Sequence, residues 1–180
     1  MKESFLHLYI GDGKGKTTAA IGLAVRAAGH GKDVVFVQFL KGNNTGETES
    51  LAKLGVTVIR ADKDFGFVWD MDEAARAAFG EEQERILAAA CGIFDGGGTP
   101  RAASPTMIVL DEVLDAVAMN LLDEGALRDF INSKCEGVEM VLTGREAPEW
   151  LRSEANYITE MRKVKHPYDR GVSARAGVEF

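Results

Sequence analysis

Cysteine is nearly absent from this chain. Cys91 and Cys135 are the only two in 180 residues, and they stand far apart, outside any metal-ligand spacing. That argues against a disulfide framework and a zinc site, and leaves two free thiols in or near the core. Long apolar runs are missing too. No stretch approaches the ~18 consecutive apolar residues of a membrane span. Met1-Lys2-Glu3-Ser4 leads straight into a short apolar strand, without the longer apolar run and cleavage site of a secretory leader. Positive charge is also in short supply. The formal net charge is −7, whereas proteins that bind nucleic-acid backbones concentrate Lys and Arg. Neither nucleic acid nor a membrane is an expected partner, and the expected compartment is a reducing cytoplasm. No repeat, low-complexity tract or linker divides the chain, so residues 1–180 are read as one domain.

What is present is an ordinary globular composition, 46% hydrophobic and 27% charged. Phe5 to Ile10 is a short apolar run stopped by Gly11. Thr17 to Ala28 is rich in Ala, Leu and Ile and ends at Gly29-His30-Gly31, as a helix does. Val34 to Phe39 is apolar on both faces, the mark of a strand in a doubly covered parallel sheet. A short helix is expected from Thr48 to Leu54 and a strand from Val56 to Ile59. Ala61 to Met71 reads as a loop with high aromatic content, and Asp72 to Cys91 as a helix. Gly96 to Pro105 reads as a surface loop and Met107 to Leu110 as a central strand. Asp123 to Asn132 reads as a helix, Met140 to Leu142 as a strand, Pro148 to Glu154 as a helix and Tyr157 to Thr159 as a last strand. Strands alternating with helices predict an α/β fold: three layers around a mostly parallel central sheet, of the P-loop NTPase-like (RecA-like) kind.

The chemistry starts at Gly11-Asp12-Gly13-Lys14-Gly15-Lys16-Thr17-Thr18. This is a strand, a glycine-rich loop and then a helix opening on Lys-Thr-Thr. Glycines let the backbone curl so that N–H groups converge. The helix N-terminus adds about +0.5 charge. Lys16 brings a full charge and Thr17 a hydroxyl suited to Mg²⁺. A plain strand-to-helix turn does not need three glycines, two lysines and two threonines in eight residues. The loop therefore reads as a nucleoside triphosphate site. Its spacing departs from the usual P-loop: measured from Gly11, the gap to Gly15-Lys16 is one residue short. The phosphates should be cradled differently from those of an ordinary ATPase.

Met107-Ile108-Val109-Leu110-Asp111-Glu112 is an apolar run closed by two carboxylates. In P-loop proteins such a strand lies beside the phosphate loop with its end facing the metal. Asp111 or Glu112 would hold Mg²⁺ directly or through water. Two other readings stay open: a cap for a helix starting at Val113, and Glu112 as a general base.

Taken together, these residues resemble the ATP:corrinoid adenosyltransferases of the bacterial cobalamin pathway, and the resemblance covers nearly the whole chain. The family's loop reads Gly-Asn-Gly-Lys-Gly-Lys-Thr-Thr with the same shortened spacing; Asp12 stands here in place of the Asn. Further matches are Arg26-Ala27-Ala28-Gly29-His30-Gly31-Lys32, Gln38-Phe39-Leu40-Lys41-Gly42, Gly66-Phe67-Val68-Trp69 and Val109-Leu110-Asp111-Glu112. Thr143-Gly144-Arg145, the run from Val164 to Val172 and the ending Ala176-Gly177-Val178-Glu179-Phe180 complete the series.

The resemblance implies transfer of the 5′-deoxyadenosyl group of ATP to Co(I) of a reduced corrinoid, either cob(I)alamin or a precursor. Triphosphate would leave intact, in adenosylcobalamin biosynthesis or salvage. It implies Lys16, Thr17 and Glu112 as catalytic groups, with Mg²⁺ (or Mn²⁺) on Thr17 and Glu112. ATP would be held by Gly11, Asp12, Gly13, Lys14, Gly15, Lys16, Thr17, Thr18, Arg26 and Arg145. Phe67 and Trp69 would sit against the corrin and displace its lower axial ligand. A homodimer and an electron-donor flavoprotein are the implied partners. The first strand follows only four residues, where many family members carry an extension over the corrinoid. A partner or a second subunit is therefore expected to provide cover.

The competing reading is a P-loop ATP hydrolase or kinase acting on another small molecule, which releases orthophosphate or ADP without any corrinoid. A non-catalytic binding module is a third. His7 reads as a satisfied strand histidine, His30 as a helix-end residue, and Arg162, Lys163 and Lys165 as a solvated basic face.

Overall fold

The computed structural model describes residues 4–42, 45–62, 65–66, 68–94, 106–133 and 137–179. Phe67, Cys135 and the whole loop from Gly96 to Pro105 lie outside the described residues. Six strands form one sheet: β1 (Phe5–Ile10), β2 (Val34–Gln38), β3 (Thr57–Arg60), β4 (Met107–Asp111), β5 (Glu139–Thr143) and β6 (Tyr157–Glu160). Their order is β3-β2-β4-β5-β1-β6, and every pairing is parallel. The helices are α1 (Lys16–Gly29), α2 (Gly46–Lys53), α3 (Glu73–Phe94), α4 (Val113–Ala118), α5 (Glu124–Ser133) and α6 (Glu149–Glu154). Crossover helices between strands are what make parallel pairing possible.

Alternation along the strands divides the core into two layers. Val34, Phe36, Met107, Val109 and Val141 face one side, packed with Ala20, Ala24 and Ala27 of α1. These alanines recur every three or four residues, so their small side chains form one stripe and let the helix lie close to the sheet. Leu6, Leu8, Val35, Val37, Ile108, Leu110, Met140 and Leu142 face the other side, against Ile86, Leu87 and Ala90 of α3 and Leu127, Phe130 and Ile131 of α5. Phe36, Ile108, Val109 and Leu142 are fully enclosed. At ~25 cal/mol per Å² of apolar surface, burying such central strands is strongly stabilising.

Several sequence-based boundaries shift by a residue or more. Short 3₁₀ turns form at Val68–Asp70, in the aromatic loop, and at Pro167–Arg170, and the helix left open after the acidic pair does start at Val113. His7 is satisfied as expected: its Nε2 lies 2.6 Å from Glu139 Oε1, and its ring stacks on Tyr157 at 4.4 Å. Cys91 is partly buried and packs against the core. Among the described residues no helix is long and apolar enough to cross a membrane.

The acidic strand β4 ends across from the phosphate loop, with β5 between it and β1. β5 is apolar and buried on both faces, and such a strand takes a central position. At ~4.8 Å per strand spacing, the ends of β1 and β4 are therefore about 10 Å apart. All six strands run the same way, so their carboxyl ends share one rim. Ligands of open α/β sheets bind outside that rim.

Candidate active site

The loop after β1 is braced from below. Gly11 N donates to Arg145 O at 2.8 Å, and Gly13 N donates to Met161 O at 2.6 Å. Asp12 Oδ1 accepts from Lys163 N at 2.8 Å, and this bond holds the Asp12 carboxyl below the ordinary range. Glycine is required here for space. A Cβ on Gly13 would lie 2.6 Å from Met161 O and 2.8 Å from Arg162 C, and Gly11 (φ +110°) is pressed against the same carbonyl. The amides of Gly11 and Gly13 are thus engaged by the protein. The donors that face outward belong to the start of α1, whose first-turn N–H groups have no carbonyl a turn earlier. Gly15 takes φ +124° as the chain enters that helix, and no side chain caps it.

Lys16 folds back onto its own loop, donating to Gly11 O at 2.7 Å and Gly13 O at 2.9 Å. Burial pulls its ammonium below the ordinary lysine range; Arg145 adds to this and Asp115 opposes it. An ammonium held by two neutral carbonyls is ready to exchange them for an anion, because a full negative charge attracts it more strongly than a carbonyl dipole does. Lys14 Nζ donates to Val178 O at 2.6 Å and lies 3.8 Å from Glu179.

Across the cleft, the end of β4 carries the two carboxylates. Asp111 is fully enclosed and accepts from Thr143 Oγ1 at 2.8 Å through Oδ1. The same hydroxyl accepts from Glu112 N at 2.8 Å. Glu112 occupies the N-cap position of α4 in the left-handed region (φ 61°), and its side chain makes no cap bond. It turns instead to Lys41 Nζ, 3.2 Å away, which also lies 3.4 Å from Asp111 Oδ2. Burial raises the Glu112 carboxyl above the ordinary range; Lys41 opposes this and Asp111 reinforces it. Burial works against the Lys41 ammonium as well, but Glu112 and Asp111 outweigh it and hold Lys41 above the ordinary lysine range.

These groups line one cleft of about 780 Å³. Its walls include residues 12–18 of the loop, Lys41, Glu47, Glu112, Arg145, His166 and residues 177–179 of the tail. The structure thus brings together Asp12 to Thr18, Glu112 and Arg145. Arg145 is exposed, and its amide is fixed by Asp115 Oδ1 at 2.8 Å. Arg26 is not brought in. It is exposed in the last turn of α1, about 15 Å along the axis from Lys16 at ~1.5 Å per residue. Trp69 stands outside the cleft wall and is 75% exposed. Its turn follows β3, so it sits on the same rim as the phosphate loop, toward the opposite edge of the sheet.

Lys41, Thr143 and the tail were not given roles by sequence reasoning. Lys41 and Thr143 each stand at or just past the end of an apolar strand, inside a motif noted above, and that position was the available signal. Among the described residues no group of three His, Cys, Asp or Glu side chains forms a metal cage. A Mg²⁺ held with substrate phosphates needs only one or two carboxylates, so Glu112 and the Thr17 hydroxyl are a suitable donor set. The ammonium of Lys41 between the two carboxylates shows that this position draws a cation.

The family model for the ATP:corrinoid adenosyltransferases BtuR/CobO/CobP matches residues 2–180. The corrinoid adenosyltransferase of Escherichia coli (strain K12) is 34% identical over 96% of this chain and 84% of its own length. Corrinoid adenosyltransferase CobA of Salmonella typhimurium is 35% identical over the same shares. The corrinoid adenosyltransferase of Pseudomonas aeruginosa is 32% identical over 97% of this chain and 83% of its own.

Proposed function

The chain belongs to the ATP:corrinoid adenosyltransferase family, and from that premise we propose how its rim of strand ends moves the adenosyl group of ATP to a corrinoid. The supporting observation is the single cleft that joins a phosphate loop, the ammonium of Lys16 and an acidic strand end. Cobalt of the reduced corrinoid is the nucleophile and belongs to the substrate. Its electron pair forms the bond to C5′, and the C5′–O bond breaks with its pair going to triphosphate. The protein's work is positioning and charge stabilisation.

In this reading the first-turn amides of α1 and the hydroxyls of Thr17 and Thr18 receive the phosphates. Lys16 leaves Gly11 O and Gly13 O for the triphosphate, and Arg145 adds positive charge from the β5 side. Mg²⁺ or Mn²⁺ would be held by Thr17 and Glu112, with Asp111 behind; when bound it neutralises charge on the leaving group. The roughly 10 Å between the ends of β1 and β4 leaves room for phosphate and metal together. Trp69 offers an exposed apolar ring on the same rim for a flat macrocycle. Phe67 is assigned with it from the sequence. The same reading takes the working unit as a homodimer supplied with reduced corrinoid by a flavoprotein.

The test is the fate of the phosphates. Protein, ATP, Mg²⁺ and chemically reduced cob(I)alamin should give a light-sensitive cobalt–carbon product and intact triphosphate. Lys16→Ala and Glu112→Gln should each slow the reaction by about 100-fold or more. Orthophosphate or ADP released at the same rate without corrinoid would establish the hydrolase or kinase instead.

A further inference from the structure

We propose that Lys41 is a removable counter-ion: it holds the acidic strand end while the cleft is empty, and yields to the divalent cation when nucleotide arrives. The inference rests on the metal reading above and adds a positioning residue to it.

The two carboxylates are fixed. Asp111 is fully enclosed and tied to Thr143, and the Glu112 backbone is tied to the same hydroxyl. Lys41 is fixed only at its root. Leu40 turns the chain with φ 59°, and its amide is held by Gln83 Oε1 at 2.9 Å. The ammonium sits on a flexible four-carbon stem, contacts both carboxylates and forms part of the wall of the open cleft. A structural ion pair sealed in a core has nowhere else to go; this one faces the space where triphosphate would lie.

The charge balance points the same way. One ammonium contacts both Asp111 and Glu112; Glu47 lines the same cleft, and so do Lys16 and Arg145. At the strand end itself one positive charge meets two carboxylates, and a divalent cation placed between them supplies the difference. With the cation in place, Lys41 is repelled from the carboxylates and attracted to phosphate on the other side of the cleft. A cation without nucleotide gains less, because displacing Lys41 leaves the ammonium only Glu47 to turn to, a carboxylate that already accepts from Gln38 Nε2 at 3.0 Å. Metal and nucleotide are thereby made to bind together.

The experiment is a titration of Mn²⁺ followed by electron paramagnetic resonance, first without nucleotide and then with ATP. Removing a positive charge about 5 Å from a divalent ion strengthens free-metal binding by about tenfold or more, even at water-like dielectric. Lys41→Met should therefore bind Mn²⁺ alone at least about tenfold more tightly than wild type, and Lys41→Arg should stay near wild type. With ATP present the order reverses, and Lys41→Met should bind Mn²⁺·ATP more weakly. Nucleotide-free affinity of Lys41→Met within about twofold of wild type, or weaker, would overturn the inference. Lys41→Gln repeats the test if the methionine variant does not fold. Glu112→Gln separates the two levels. If it weakens Mn²⁺ binding while Lys41→Met changes nothing, only this inference fails. If it leaves Mn²⁺ binding with ATP untouched, the metal reading fails and takes the inference with it.

Discussion

Replacing Thr143 with valine removes one hydroxyl and keeps the shape of the side chain. That hydroxyl donates to Asp111 Oδ1 and accepts from Glu112 N, each at 2.8 Å. Thr143 is 1% exposed and Asp111 0%, so water cannot replace the lost partner without opening the rim. A hydrogen bond to a buried charge contributes about 1.5–3 kcal/mol, and an orphaned buried N–H costs about 1–3 kcal/mol. Both losses pass through one atom and Lys41 still neutralises part of Asp111, so the sum is below the simple total, about 3 kcal/mol. For a domain of this size, about 2–4 °C per kcal/mol gives a fall in Tm of about 6–12 °C. Urea denaturation of Thr143→Val beside Thr143→Ser measures it. The serine variant keeps the hydroxyl and should lose only the methyl contact, about 1 kcal/mol. A Thr143→Val protein within about 0.5 kcal/mol of wild type would refute the claim that this hydroxyl organises the acidic strand end. Equal losses in the serine and valine variants would refute it too.

Gly13→Ala places a methyl 2.6 Å from Met161 O, so the loop must lift from the segment after β6; ATP affinity, read by equilibrium dialysis, should fall by about tenfold or more, equivalent to ~1.4 kcal/mol. The raised carboxyl of Glu112 makes a pH prediction. A carboxyl raised on folding opposes folding as pH climbs from its unfolded value, about 4.3, through its folded one. Wild-type stability relative to Glu112→Gln should therefore fall across that window and level off above it. Urea unfolding at a series of pH values checks this, and a flat difference would show that burial does not perturb Glu112.

Much of the site could be read from the chain because it is local. The loop from Gly11 to Thr18 declares itself through residue type and spacing, since backbone conformation and helix polarity act over a few residues. The strands declare themselves through unbroken apolar runs, since burial on both faces leaves no polar position. The pairing of Asp111 with Glu112 at a strand end was visible for the same reason.

Other features depend on which strands become neighbours, and no local pattern encodes that. The strand order alone inserts β5 between the phosphate loop and the acidic pair, and so makes Thr143 the link between two carboxylate-bearing residues. It also brings Lys41, seventy positions from Asp111 in the chain, to within 3.4 Å of it. Packing of the segments after β5 and β6 beneath the loop uses up the amides of Gly11 and Gly13 through Arg145 O and Met161 O, although the sequence offered them equally with the rest. By itself the chain determined an α/β protein with a shortened phosphate loop, an acidic strand end and the family's series of motifs, because short-range geometry and hydrophobic burial write those directly into residue order. Only the tertiary structure decided which amides remain free, which ammonium faces the acids and how far the phosphate loop stands from the acidic strand end, because strand order and close packing set those distances.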